Sequence, residues 1–142
     1  MKKLFTVFAA AFLAVSSAAF AACAPQTVRI DENSEYIVIT PSSKITEITE
    51  ETSLLDYMAV LKDRGELEYE TSESDGMIMI TSINGKAQEG GCYWMLYTDD
   101  TENVNDSLTL TYEGKTYSQT LMGCDGVIIK EGLTYIWYYQ AF

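Results

Sequence analysis

A chain of 142 residues that sets 21 acids against nine bases and holds no histidine is closed to several chemistries. Its net charge of −12 repels nucleic-acid phosphates, and Ser-His-Asp triads, Cys-His pairs and histidine metal sites lack a residue to build on. The length suits one domain plus a small appendage.

In chain order, residues 1–22 read MKKLFTVFAAAFLAVSSAAFAA: two lysines, an apolar run from Leu4 to Val15, then small residues. This is the order of a secretory signal peptide, and the run falls short of the roughly 20 residues that a spanning helix needs. Its removal takes two of the nine bases and no acids, so seven bases face 21 acids and the net charge becomes −14. Attraction to an anionic membrane surface by charge is then disfavoured, and the acidity reads as solubility.

Three cysteines in an exported chain need an explanation. Cys23 follows Phe20-Ala21-Ala22. Small residues before a cysteine at this place resemble the bacterial lipobox, whose thiol takes a diacylglycerol; Phe20 stands where leucine is usual. A lipoprotein at the outer face of the cell membrane is the expectation, with the membrane met only through that anchor. The alternative is cleavage after Ala21, where Ala19-Phe20-Ala21 fits the small-x-small rule, and a secreted product. Acylation of Cys23 leaves Cys92 and Cys124.

Residues 23–34 read as a tether, in which Val28 and Ile30 alternate as a short strand. Tyr36 to Thr40 is β-branched and ends at Pro41-Ser42-Ser43, a strand and its turn, and Lys44 to Thr49 is expected as the partner strand. A single helix follows over about residues 53–64. Ser53 is its N-cap and Asp56 its capping-box acid. Leu54, Met58 and Leu61, with Leu55 and Ala59 beside them, form one apolar stripe, and Gly65 ends it. A stripe on one short helix is buried only against a sheet.

Strands are predicted next over Gly76 to Ile83, stopping at Asn84-Gly85, and over Cys92 to Thr98. Asp99 to Ser107 reads as a polar loop. Leu108 to Tyr112 and Lys115 to Met122 flank Glu113-Gly114 as a hairpin. Val127 to Ile129 is a short strand, and Leu133 to Tyr139 closes the domain. The class is therefore α+β. The acids Asp99, Asp100, Glu102 and Asp106 with Asn105 lack the glycine and final bidentate acid of an EF-hand, so a solvated loop is expected and no metal site is assigned. There is no Cys-x-x-Cys, no base to activate a thiolate, and no carboxylate pair set in a pocket. No catalytic residue and no cofactor are assigned, and the chain reads as a non-enzyme.

Several of these segments form a family pattern: TSLLDYMAVLK on the helix, the Gly-led strand with Ile80-Thr81-Ser82-Ile83-Asn84-Gly85, then Tyr93-Trp94-Met95-Leu96-Tyr97. Met122-Gly123-Cys124-Asp125-Gly126, Lys130-Glu131-Gly132 and Tyr135-Ile136-Trp137 complete it. Over residues 35–139 the chain resembles the domain shared by the C-terminal region of transcobalamin and many exported bacterial proteins, the DUF4430 family; the domain is taken as residues 35–142. The resemblance implies a β-grasp-like mixed or antiparallel sheet packed on the single helix, of the soluble-ligand-binding type. The family's commoner form turns tightly through Asn-Gly after the Trp strand. Here an acidic loop and an extra hairpin, around residues 108–122, stand in that place.

Aligning the family's short hairpin onto this chain pairs residues whose numbers sum to 216, which implies that Cys92 faces Cys124 and that a disulfide joins them. The family's regular apolar set implies that Tyr135, Trp137 and Tyr139 pack on the helix with Trp94 and Leu96. Tyr93, Met95 and Tyr97 then point to the other face, along with Met77, Met79 and Tyr138, and are the candidate ligand-binding residues. Such a face is an adaptable apolar surface unless the tether, the hairpin or a neighbouring copy covers it.

The implied function is non-catalytic binding of a small soluble ligand at the cell surface, a corrinoid being the class the family names. In transcobalamin-type proteins a separate helical domain supplies the other side of the corrinoid, and no counterpart lies within these 142 residues. The alternative is a surface adhesion or protein-interaction module working through the sheet face or edge. A concave pocket at Tyr93, Met95 or Tyr97 would favour the small ligand, and a flat face the protein.

Overall fold

The computed structural model describes residues 27–142; the leader expected over residues 1–22 and the lipidation expected at Cys23 lie outside them. The helix α1 spans Leu54–Asp63 and is capped at both ends by its own sequence. Ser53 Oγ accepts from the Asp56 N–H at 3.1 Å while Asp56 Oδ2 accepts from the Ser53 N–H at 3.0 Å, so both orphan donors are met. At the other end Gly65 takes φ +75°. Its N–H donates to Lys62 O and that of Glu66 to Leu61 O, the paired bonds of a Schellman stop. The buried stripe is Leu54, Tyr57, Met58 and Leu61, with Tyr57 taking the place expected of Ala59.

Around this helix stand two antiparallel sheets, giving an α+β arrangement of nine strands and one helix among the described residues. The larger sheet runs in the order β1 (Val28–Ile30), β2 (Tyr36–Ile39), β9 (Tyr135–Ala141), β6 (Cys92–Thr98), β8 (Lys115–Thr120), β7 (Val104–Tyr112). The smaller is β3 (Tyr69–Ser74), β4 (Met77–Ile83), β5 (Lys86–Ala87). Asp75-Gly76, Asn84-Gly85 and Glu113-Gly114 all have positive φ at both residues, as two-residue hairpin turns demand.

Alternation along β9 and β6 splits the large sheet into two cores. Tyr135, Trp137, Trp94, Leu96, Ile37 and Ile39 pack on the helix side with Tyr57, Met58 and Leu61. The Trp137 indole N–H donates to Met58 Sδ at 3.4 Å. On the opposite face Ile136, Val38 and Tyr97 meet Leu110 and Tyr117 of the β7–β8 hairpin. The hairpin tip reaches back across the sheet: the Tyr112 and Tyr36 rings lie 4.8 Å apart, and Arg29 of β1 bonds Glu113 at 2.8 Å. That ion pair is exposed, so the packing rather than the charge holds the tip down.

Three expectations are corrected. Lys44 to Thr49 is not a strand, because β1 and β9 already occupy both edges of β2; Ile45 and Ile48 still pack against the core. Residues 104–107 belong to β7, not to the polar loop, and the register slips there: Asn105 faces Gln119 but Thr109 faces Ser118, so Asp106, Ser107 and Leu108 bulge out. Val127 to Ile129 makes only a single bridge, Ile128 to Ser53. The short strand expected at Val28 and Ile30 forms as Val28–Ile30 and pairs with β2 in the sheet. No helix among the described residues is long and apolar enough to cross a membrane.

Candidate functional site

Tyr93, Met95 and Tyr97 do lie on the face of β6 away from the helix, and their surroundings differ. The extra hairpin covers that face at Tyr97. Tyr97 is 4 % exposed, packed under Leu110 and Tyr117, and its hydroxyl donates to Gln140 Oε1 at 2.6 Å. Burial pushes that hydroxyl above the ordinary tyrosine range. Tyr93 is 45 % exposed, edge-on to Phe142 at the end of the sheet. Met95 is half-buried against the second core and borders a groove described below. Of the three, Met95 lines that groove, and Tyr93 and Tyr97 do not.

The expected Cys92–Cys124 bridge is absent, and both are free thiols. The register behind that expectation holds where β6 meets β8: Tyr97 faces Gln119 and Thr98 faces Ser118, each pair summing to 216. But the ladder stops after these two pairs. The Leu121 N–H donates to Asn103 O, which carries the chain away from β6. Cys124 then turns under the helix, 1 % exposed, where its carbonyl accepts from the Leu55 N–H at 3.0 Å. Cys92 pairs instead with Ala141.

Burial, with Asp125 adding to it, pushes the Cys124 thiol up to about 11. Its thiolate fraction at pH 8 is then about one part in a thousand. Iodoacetamide at pH 8 is expected to label Cys92 and to reach Cys124 only after unfolding, read by intact mass. A chain in which neither thiol reacts until reductant is added would restore the bridge. Because the folded thiol holds its proton above the unfolded value of 9.0, Cys124 leaves stability unchanged at neutral pH. It lowers stability as pH rises from about 9 towards 11, where the unfolded chain gives up the proton first.

Two concave surfaces meet at the segment that leaves β8. The first is a cleft of about 530 Å³. Ile48 to Glu50, Asp100, Glu102, Asn103 and Gly126 to Lys130 wall it, and Thr98 and Tyr135 lie at its base. The helix start positions one wall: the Leu54 N–H donates to Val127 O at 2.8 Å, and the Ile129 N–H to Thr52 O at 3.0 Å. At the base, Tyr135 Oη accepts from the Lys130 N–H at 3.0 Å. Thr98 Oγ1 donates to Thr134 O and accepts from the Asp100 N–H.

The acids expected to be merely solvated hold the cleft's rim. Asp99 accepts from the Thr134 N–H at 2.8 Å and from Lys115 Nζ at 2.7 Å. Lys130 Nζ lies 2.8 Å from Glu102 and 3.1 Å from Asp100, and these acids hold its pKa above the usual lysine value, Glu102 contributing most. Glu50, Asp100 and Glu102 thus outnumber Lys130 in the lining, and an anion finds no free positive charge there. Among the described residues, no group of three or more His, Cys, Asp or Glu is placed to hold a metal ion.

The second surface is a groove of about 230 Å³ between the two sheets. Met77 to Ile80 of β4 form one side, Trp94 to Leu96 of β6 the other, and Leu121 to Cys124 close one end. Gln88 ties the sheets together: its N–H donates to Thr81 O at 2.9 Å, and its Oε1 accepts from the Trp94 N–H at 3.0 Å. Gly123 passes so close to β4 that a Cβ there would lie 3.2 Å from Ile78 O. Met122 and Thr120 line both surfaces. Alternation along β4 hinted at Met77 and Met79, whereas nothing local pointed to Met122, Lys130 or Ile128. No protein-family model, curated relative or solved structure matches this chain.

Proposed function

We propose that this protein is an exported, non-catalytic binding module, held at the outer face of the membrane by a lipid on Cys23. It takes a small neutral or cationic molecule with an apolar body into the cleft between residues 48–50, 100–103 and 126–130. The observation that carries the reading is the cleft's make-up. Its volume of about 530 Å³ lies within the roughly 300–1,000 Å³ of small-ligand sites. Ile48, Met122, Val127 and Ile128 supply apolar wall, and the one lysine is already neutralised by two acids. The finer fold reading, a β-grasp-like domain of the DUF4430 kind, is supported by β2, β9 and β6 packing around α1. A corrinoid, the ligand class of that resemblance, would cover this cleft from one side rather than enter it.

The test has two arms. In the first, fragments of each charge class, with cobinamide and cobalamin among them, are titrated in ligand-observed NMR. Neutral and cationic members bind and anionic ones do not. Ile128→Lys, at an exposed wall position, weakens the hits roughly tenfold through lost apolar contact and added charge. Equal binding of anions, or hits indifferent to Ile128→Lys, would overturn the assignment. In the second, Cys23→Ala moves the protein out of the membrane fraction; a variant that stays there is not anchored at Cys23.

A further inference from the structure

We propose that the groove between the two sheets is a binding site for a soft monovalent cation, Cu(I) or Ag(I), held by the thioethers of Met77, Met79 and Met122. This goes beyond the cleft reading and does not depend on it. Five methionines lie among the described residues. Met58 is buried in the core, and the other four, Met77, Met79, Met95 and Met122, all line this one groove. Met77 and Met79 alternate on β4, and Met122 lines the same groove from the segment that closes its end. Three of them stay open to solvent, Met77 at 62 %, Met79 at 43 % and Met122 at 53 %.

Leucine would serve a docking face equally well; what methionine adds is an accessible, polarizable sulfur on a chain flexible enough to converge. The rest of the lining sharpens the choice of ion. In a chain with 21 acids, no Asp, Glu, Lys or Arg among the described residues lines the groove. Hard cations such as Ca²⁺ or Mg²⁺ find no set of carboxylate oxygens there, whereas thioethers select Cu(I) among the biological metals. The protein's net negative charge draws cations towards its surface. Binding needs no proton loss and no electron transfer: the cation exchanges its water for neutral sulfur ligands. Cys124 also lines the groove, but it is 1 % exposed where the three thioethers are open to solvent, so it is not counted among the ligands. Trp94 and Trp137, the only tryptophans in the chain, both line the groove, and their fluorescence reports on its occupancy.

Ag(I), the redox-inert probe, is titrated into the Cys92→Ala, Cys124→Ala protein in chloride-free buffer. Tryptophan fluorescence and native mass spectrometry are the readouts. One Ag(I) per chain and a saturable fluorescence change are expected. Adding Met77→Leu, Met79→Leu and Met122→Leu, which keep the groove apolar, weakens binding about a hundredfold or more. If the cysteine-free chain binds no Ag(I), or if the leucine variant binds as well as its parent, the thioether site is wrong; in the first case the groove is left as an apolar docking face. Should Cys124→Ala fail to fold, Cys92→Ala alone is titrated at pH 5.5 and pH 8. Thioether binding is equal at the two values, while a thiolate ligand would strengthen with pH as its proton is displaced.

Discussion

Replacing Tyr135 by alanine is expected to cost about 3–5 kcal/mol, the range for truncating a buried aromatic side chain, and to abolish ligand binding in the cleft. Tyr135 is fully buried. Its ring packs in the helix-side core, and its hydroxyl holds the Lys130 N–H at the base of the cleft. One side chain therefore ties β9 to the wall that ends at Lys130. Against a total stability of about 5–15 kcal/mol, the loss brings the chain close to unfolding at 37 °C.

Tyr135→Phe separates the two roles. It keeps the packing and leaves the Lys130 N–H without its partner, at about 1–3 kcal/mol. Urea unfolding of both variants, with fragment binding measured on Tyr135→Phe, checks the pair. If Phe and Ala cost the same, the ring's packing contributes nothing and the account of the core is wrong.

The second large effect concerns the other face of the same sheet. Leu110→Asp puts a carboxylate between Tyr97, Ile136 and Val38, where an unpaired charge is not tolerated. Leu110→Ala loses about 2–5 kcal/mol; the aspartate variant escapes its larger penalty by lifting the β7–β8 hairpin off the sheet. The two cores lie on opposite faces, and the helix contributes to the first alone. Hydrogen exchange is therefore expected to speed up in β7 and β8 by orders of magnitude while α1 stays protected. The exposed face would then carry Tyr97 and Tyr138. Loss of protection in both cores together would show that the hairpin is integral to the fold rather than a cover on it.

By itself the sequence determined the features whose causes are local. The helix, its capping box at Ser53 and Asp56, and its stop at Gly65 follow from residues within one turn of each other. The Cys92–Thr98 strand has the bounds its pattern implied, and that Trp94 shares a face with Leu96, and Tyr135 with Trp137, follows from a period of two. Asp75-Gly76 was an equally local signal for β3, but Tyr69–Ser74 carries no apolar alternation because that strand is almost wholly exposed.

Tertiary structure alone decided whatever depends on which distant segments meet. The 216 register held for two pairs, and no local signal marks where such a ladder ends; the pull of Asn103 on Leu121 separated Cys92 from Cys124. The aromatic face was real, yet whether it stayed open depended on where a hairpin that begins past it packs. Lys130, Ile128 and Asp100 come together only because the helix's first N–H groups hold residues 124–129 beside the β6–β7 loop. Met77, Met79 and Met122 line one groove only because two sheets abut there. Such meetings are set by burial summed over the whole chain, and no window of neighbouring residues contains that sum.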